Sequence, residues 1–253
     1  MIIKEMGYIE PLQLERMIHI YIPDNINIDE RLPVMYMFDG HNLFHDEDST
    51  YGKSWGLKNF LEKINARIIV VGIECNHEGN NRISEFSPYT FSDKDLGYVE
   101  GKGKVFIEWI INDLKPYIDS KYPTIPWREA TGIGGSSMGG LMALYGVVMR
   151  SDIFSKGACL SVFYHYIYKY LLNDIANANT NNKTKVYISW GRYEFYTKKQ
   201  LAIGTEENLK ICRIFSSKGI EVYPHLILEG RHNEESWEKE NLMWLSELGF
   251  INL

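Results

Sequence analysis

Gly134-Gly135-Ser136-Ser137-Met138-Gly139-Gly140 is the stretch from which the rest of the chain can be read. A short apolar run ends at Ile133 just before it and a long one begins at Leu141 just after it, so glycines crowd a point where a strand becomes a helix. In the pattern G-x-S-x-G a turn of this kind lifts one serine clear of the sheet. The glycines two residues to either side are required because a Cβ there would collide with neighbouring backbone. Only Ser137 has glycine at both positions, Gly135 and Gly139, whereas Ser136 has Gly134 and Met138. Ser137 is the candidate nucleophile. Glycine-rich turns before helices also bind phosphate or simply pack tightly, and the motif alone does not separate these readings. No Lys-Ser or Lys-Thr pair follows the glycines, which counts against a phosphate-cradling loop.

Outward from this turn, continuous apolar runs alternate with helical patterns. Residues 33–38 and 67–73 read as strands buried on both faces of a parallel sheet, and the segment 54–64 between them carries Trp55, Leu57, Phe60, Leu61 and Ile64 at helical spacing. Strand, helix, strand is the βαβ unit. Residues 14–22 read as an edge strand, with His19 only a strand residue. Residues 75–98 read as a long polar loop, a length that in compact domains often serves function. A helix over 106–114 is kinked or ended by Pro116, and 119–126 is a connector. The strand 129–133 enters the glycine turn and the helix 141–149 leaves it. Strands over 156–161, 185–190 and 222–228 follow, with a helix over 206–218 stopped by Gly219 and a last helix over 234–248. With no repeat and no linker, the pattern predicts one α/β domain over 1–253, its central sheet mostly parallel and covered by helices on both faces.

A serine hydroxyl needs a base, most often histidine, and the histidine needs a carboxylate to hold its tautomer. In open α/β sheets such groups gather just after the strands, and where a nucleophile turn of this type is used the chain order is serine, acid, histidine. Of the histidines after Ser137, His225 lies inside the last strand and His165 precedes the strand that should carry the acid. His232, just after the last strand, is the predicted base. Glu194, four residues after Trp190, is the predicted acid; its rival Asp174 precedes that strand. An oxyanion needs two backbone N–H donors, one from the residue after the nucleophile and one from the turn after an early strand. These are Met138 and His41, the latter in Asp39-Gly40-His41, a turn that an Asp39 side chain is suited to hold.

Composition narrows the function classes. A net charge of −6 supplies no basic field for nucleic acid or an anionic membrane, and no apolar run approaches the ~20 residues of a membrane span. Met1 to Met6 lack the order of a signal peptide, so a cytoplasmic location is expected. Cys75, Cys159 and Cys212 are odd in number and far apart, so packing is their expected role. The run from His41 to Asp48 holds two histidines and several acids but no H-E-x-x-H, so no metal is expected. An aromatic group including Tyr164, Tyr166, Tyr193 and Tyr196 is a candidate pocket floor or core. Arg82, Arg192 and Arg231 are candidate contacts for an anionic substrate, or partners of local acids such as Glu85 for Arg82.

Several segments taken together resemble the esterase family of α/β-hydrolases that includes enterochelin, feruloyl and acetyl xylan esterases, S-formylglutathione hydrolase and the antigen 85 mycolyltransferases. They are residues 36–44 (YMFDGHNLF), Trp55, 69–73 (IVVGI), 82–89 (RISEFSPY), the glycine turn, 191–194 (GRYE) and 230–237 (GRHNEESW). The resemblance implies an α/β-hydrolase fold and a Ser137–His232–Glu194 triad, with oxyanion donors at His41 and Met138. It implies no cofactor, and a small-molecule ester as substrate. The chain lacks a long cap insertion, so an open site is expected. A siderophore trilactone, a feruloyl or acetyl sugar ester and a thioester all fit as substrates. An inactive binding protein of the same fold is the rival of another class. The sequence leaves a homo-oligomer open.

Overall fold

The computed structural model describes residues 1–251; Asn252 and Leu253, the end of the predicted single domain, lie outside the described residues. The chain opens with an antiparallel pair, β1 (Ile2–Ile9) and β2 (Leu14–Tyr21). Next come β3 (Val34–Phe38), α1 (Leu57–Lys63) and β4 (Ile69–Ile73). The following segment folds as α2 (Asn81–Glu85) and a small hairpin, β5 (Phe91–Asp93) with β6 (Gly97–Val99). After it come α3 (Gly103–Trp109), α4 (Lys115–Lys121), β7 (Thr131–Ser136) and α5 (Met138–Met149). Then follow β8 (Lys156–Leu160), α6 (Tyr168–Asn177), β9 (Lys185–Gly191) and α7 (Lys198–Ser217). The last elements are β10 (Glu221–Ile227), α8 (Glu234–Glu238) and α9 (Asn241–Glu247). Eight strands form one sheet in the order β1-β2-β4-β3-β7-β8-β9-β10, parallel from β4 to β10. This is the mostly parallel α/β architecture expected.

Both faces of the central strands are buried because successive side chains point to opposite sides. Val34, Tyr36 and Phe38 enter one core with residues of α3, α5, α6 and α7. Met35 and Met37 enter the other, with Leu57 and Leu61 of α1, Trp237 of α8 and Trp244 of α9. Nothing in β3 is left for solvent, which is why it reads as an unbroken apolar run. Among the described residues no helix is long and apolar enough to cross a membrane.

Several expected boundaries are corrected. The strand over 14–22 is second from the edge, with β1 outside it. The helix expected to kink or end at Pro116 continues to Lys121, because a π-helical turn over Ile110–Leu114 inserts an extra residue just where the proline ring would meet the preceding turn. The predicted connector from 119 is therefore helical at its start. The loop over 75–98 contains α2 and the hairpin. The helix expected from 206 begins at Lys198, capped by Thr197, whose hydroxyl accepts from the Gln200 N–H. The last predicted helix is two, broken between Glu238 and Asn241.

Candidate active site

The glycine turn joins β7 to α5 with Ser137 at φ 57° and ψ −121°, a conformation that side-chain-bearing residues rarely adopt. Its N–H donates to the Leu160 carbonyl and its own carbonyl accepts from Phe163, so neighbouring backbone holds the strain in place. Each flanking glycine has a steric reason. A Cβ on Gly135 would lie 2.8 Å from the Gly139 carbonyl carbon, and one on Gly139 would lie 2.9 Å from Phe38 Cβ and 3.0 Å from Asp39 Oδ2. The first turn of α5 thus sits flush against the turn after β3.

The residues selected by chain order converge on this serine. Ser137 Oγ lies 2.8 Å from His232 Nε2, and His232 Nδ1 lies 3.1 Å from Glu194 Oε2. A carboxylate facing Nδ1 keeps the ring proton there, so Nε2 accepts from the serine hydroxyl. Glu194 is 11% exposed at its side chain and His232 40%, so the carboxylate is sheltered while the imidazole faces the cleft. The second oxygen of Glu194 accepts from Ser161 Oγ and from the Gly191 N–H, each at 2.6 Å. Ser161 Oγ in turn accepts from Trp237 Nε1 at 2.8 Å, and the Trp237 ring meets the His232 ring edge to face. The loops after β9 and β10 touch at two glycines. A Cβ on Gly191 would lie 2.5 Å from the Gly230 carbonyl oxygen, and the Tyr193 N–H donates to that same oxygen.

His41 and Met138, the expected oxyanion donors, sit at the two turns that Gly139 brings together. Among the described residues neither backbone N–H has an acceptor. The turn after β3 is held differently from expectation. Asp39 is itself left-handed at φ 57° and its side chain does not cap the turn; it accepts from Arg82 Nε at 2.8 Å and Nη2 at 2.7 Å. Burial raises the Asp39 carboxyl, but the Arg82 guanidinium outweighs it and holds the group below its ordinary range. Arg82 therefore does not pair with Glu85, which instead meets Arg16 and the Asn76 N–H. Burial lowers the His41 imidazole, with the Asp39 charge opposing.

Ser137, His232, Asp39, His41 and Arg82 line a cleft of about 530 Å³ walled by the turn after β3, the segment after β4, the glycine turn and the start of α8. The polar segment over 75–98 supplies Asn76, His77, Gly79 and Arg82 to that wall. The aromatic group proposed as a pocket floor does not line it: Tyr164 and Trp190 are buried in the core, while Tyr193 and Tyr196 are exposed. Nor do the acids of the 41–48 run gather around a common point, since Asp46 accepts from Ser54 and Asp48 pairs with Lys4.

A family model described as "Putative esterase" matches residues 9–242, almost the whole chain. The chain belongs to this esterase family. An uncharacterized protein, YbbA, of Bacillus subtilis is 25% identical over 153 residues, 58% of this chain and 56% of that one. A siderophore triacetylfusarinine C esterase of Aspergillus fumigatus is 27% identical over 127 residues, 49% of this chain and 41% of that one. The chain thus spans about half the length of the curated relatives it matches. Among solved structures, an IroE-like serine hydrolase from Shewanella oneidensis superposes with a TM-score of 0.76 at 18% identity, covering 97% of this chain and 79% of that one. At that identity the likeness is one of fold.

Proposed function

We propose that this esterase-family chain is a serine carboxylesterase working through an acyl-enzyme. Ser137 Oγ attacks the ester carbonyl as His232 Nε2 takes its proton, and Glu194 stabilises the imidazolium through Nδ1. The N–H groups of His41 and Met138 receive the developing oxyanion. His232 returns the proton to the leaving alcohol, and then activates the water that releases the acid. The observation that carries this reading is the continuous hydrogen-bonded line from Ser137 Oγ through both nitrogens of His232 to Glu194 Oε2.

A siderophore ester is the substrate class favoured within this reading. The Aspergillus relative is named for such a substrate, and on the loops that carry Glu194 and His232, outside the cleft lining, the guanidiniums of Arg231 and Arg192 lie 5.0 and 5.2 Å from the exposed Tyr193 ring, a cationic and aromatic group suited to anionic or aromatic acyl groups. Hydrolysis of p-nitrophenyl acetate is expected from the wild type and is expected to fall at least ~10³-fold in Ser137→Ala. A panel of triacetylfusarinine, catecholate trilactone, feruloyl and simple alkyl esters then ranks the substrate classes. Equal hydrolysis by wild type and Ser137→Ala would overturn the reading, and preference for simple alkyl esters would overturn the siderophore assignment.

A further inference from the structure

Beside the turn after β3, three side chains that the proposed hydrolysis does not use face one another: His41, Cys75 and His77. One ligand atom from each lies within 4.8 Å of the other two. Cys75 Sγ is 3.9 Å from His77 Nδ1, and the two imidazoles meet edge to face with centroids 4.6 Å apart. Each ring is fixed through its other nitrogen. His41 Nε2 lies 3.0 Å from Thr50 Oγ1, and His77 Nε2 lies 3.2 Å from Glu74 Oε2. An oxygen on one nitrogen leaves the other available as a ligand, which is how metal-bound histidines are oriented. An independent observation points the same way. His41 is only 5% exposed, and its Nδ1 is buried with no hydrogen-bond partner among the described residues. A buried ring nitrogen is costly to leave unpaired, and a bound ion would satisfy it.

We propose that His41 Nδ1, Cys75 Sγ and His77 Nδ1 bind a zinc ion or a similar divalent transition metal, with the fourth position open to the cleft. A thiolate with two imidazoles suits such ions and not magnesium or calcium. Tetrahedral zinc, with bonds of roughly 2.0–2.3 Å, holds its ligand atoms about 3.5 Å apart, so the observed spacing of at most 4.8 Å needs no more than about 1.3 Å of closure. His77, exposed at its side chain and carried on the loop after β4, is placed to supply that movement. On binding, the Cys75 S–H bond is replaced by a sulfur–metal bond and the proton passes to solvent, with no change of oxidation state. Sequence spacing does not reveal the site, because Cys75 and His77 join a histidine more than thirty positions earlier and match no familiar ligand pattern.

The three ligands share the cleft with Ser137 and His232, so a bound ion occupies space the ester needs and pins the turn that carries the His41 N–H. Zinc is therefore an inhibitor of the esterase, a consequence that rests on the proposed function, whereas the binding itself does not. Chelator-stripped protein titrated with cobalt(II) is expected to take one equivalent, with a near-ultraviolet thiolate-to-cobalt band that zinc abolishes. Cys75→Ser is expected to lose the band, and His77→Gln to weaken binding at least tenfold; circular dichroism confirms that each variant is folded. His45→Gln, outside the cluster, is the control and is expected to bind as the wild type does. No thiolate band in the wild type, or the same band in Cys75→Ser, would overturn the site. One equivalent of zinc bound with unchanged p-nitrophenyl acetate hydrolysis would overturn the inhibition alone. A protein that binds cobalt this way but hydrolyses no ester would overturn the proposed function and leave the site standing.

Discussion

Both oxygens of Glu194 are committed, Oε1 to Ser161 and the Gly191 N–H and Oε2 to His232, so the carboxylate cannot rotate away from the imidazole without breaking two other bonds. Glu194→Gln keeps the size and the Oε1 contacts but can turn an amide N–H toward Nδ1, which forces the wrong tautomer. The expected result is a fall in kcat/KM of about 10²–10⁴ with little change in melting temperature. Activity within threefold of wild type would remove Glu194 from the mechanism. At this scale, position after a strand was enough to select Ser137, Glu194 and His232, which the fold brings within hydrogen-bond reach of one another. The residues behind them were not legible as supports: Ser161 lies 33 residues from the Glu194 it donates to, and Trp237 lies 76 residues from Ser161, so their contact shows only in the fold. Arg82 shows the opposite trap. Glu85 is three positions away, but the carboxylate that meets the guanidinium is Asp39, 43 residues back, where the parallel strands β3 and β4 end side by side.

The loops after β9 and β10 bring Glu194 and His232 together through the contact of Gly191 with Gly230. In Gly191→Ala the new Cβ would meet backbone at 2.5 Å and Glu194 Oε1 at 2.8 Å, so the two loops must separate. A loss of stability of about 1–3 kcal/mol is expected, together with a drop in kcat larger than any rise in KM, because the spacing of Glu194, His232 and Ser137 changes while the walls after β3 and β4 stay in place. Unchanged kcat would show that the loops tolerate the separation. Buried strands were readable because both of their faces are apolar. The edge strand β1 was not, since in Ile2–Ile9 apolar and polar residues mix on both faces and Lys4, Met6 and Tyr8 meet solvent. The start of α7 was missed although Thr197 and Gln200 spell its cap, because its first turn carries no apolar stripe. The break between α8 and α9 was hidden by apolar spacing that runs on across it.

At the scale of the molecule, the sheet divides the interior into two cores, and beneath the site on the α9 side lies Glu240. It is almost fully buried and accepts from Tyr187 Oη at 2.7 Å. Burial pushes its carboxyl up to about 7, with the Glu194 charge adding to the rise and hydrogen bonds opposing it. A folded-state value above the ordinary 4.5 means that the folded protein binds the extra proton, so stability is greatest below about pH 4.5 for this group and is lost as pH rises toward 7. Glu240→Gln is expected to match wild type near pH 4.5 and to unfold at higher free energy at pH 8, by up to about 3 kcal/mol. An equal loss of stability in the variant at both pH values would show that the carboxyl is not held neutral. Fold class and family were legible in the chain as a whole, because strand-to-helix alternation and the glycine turn repeat the same message at several places. The cleft's own wall was less so, since it is assembled from four separated turns. The most direct measurement is labelling with a fluorophosphonate, followed by peptide mapping. A single adduct on Ser137 in the wild type, absent from Ser137→Ala, is the expected result; a folded wild type that takes no label, or a Ser137→Ala protein labelled to the same extent, would contradict it.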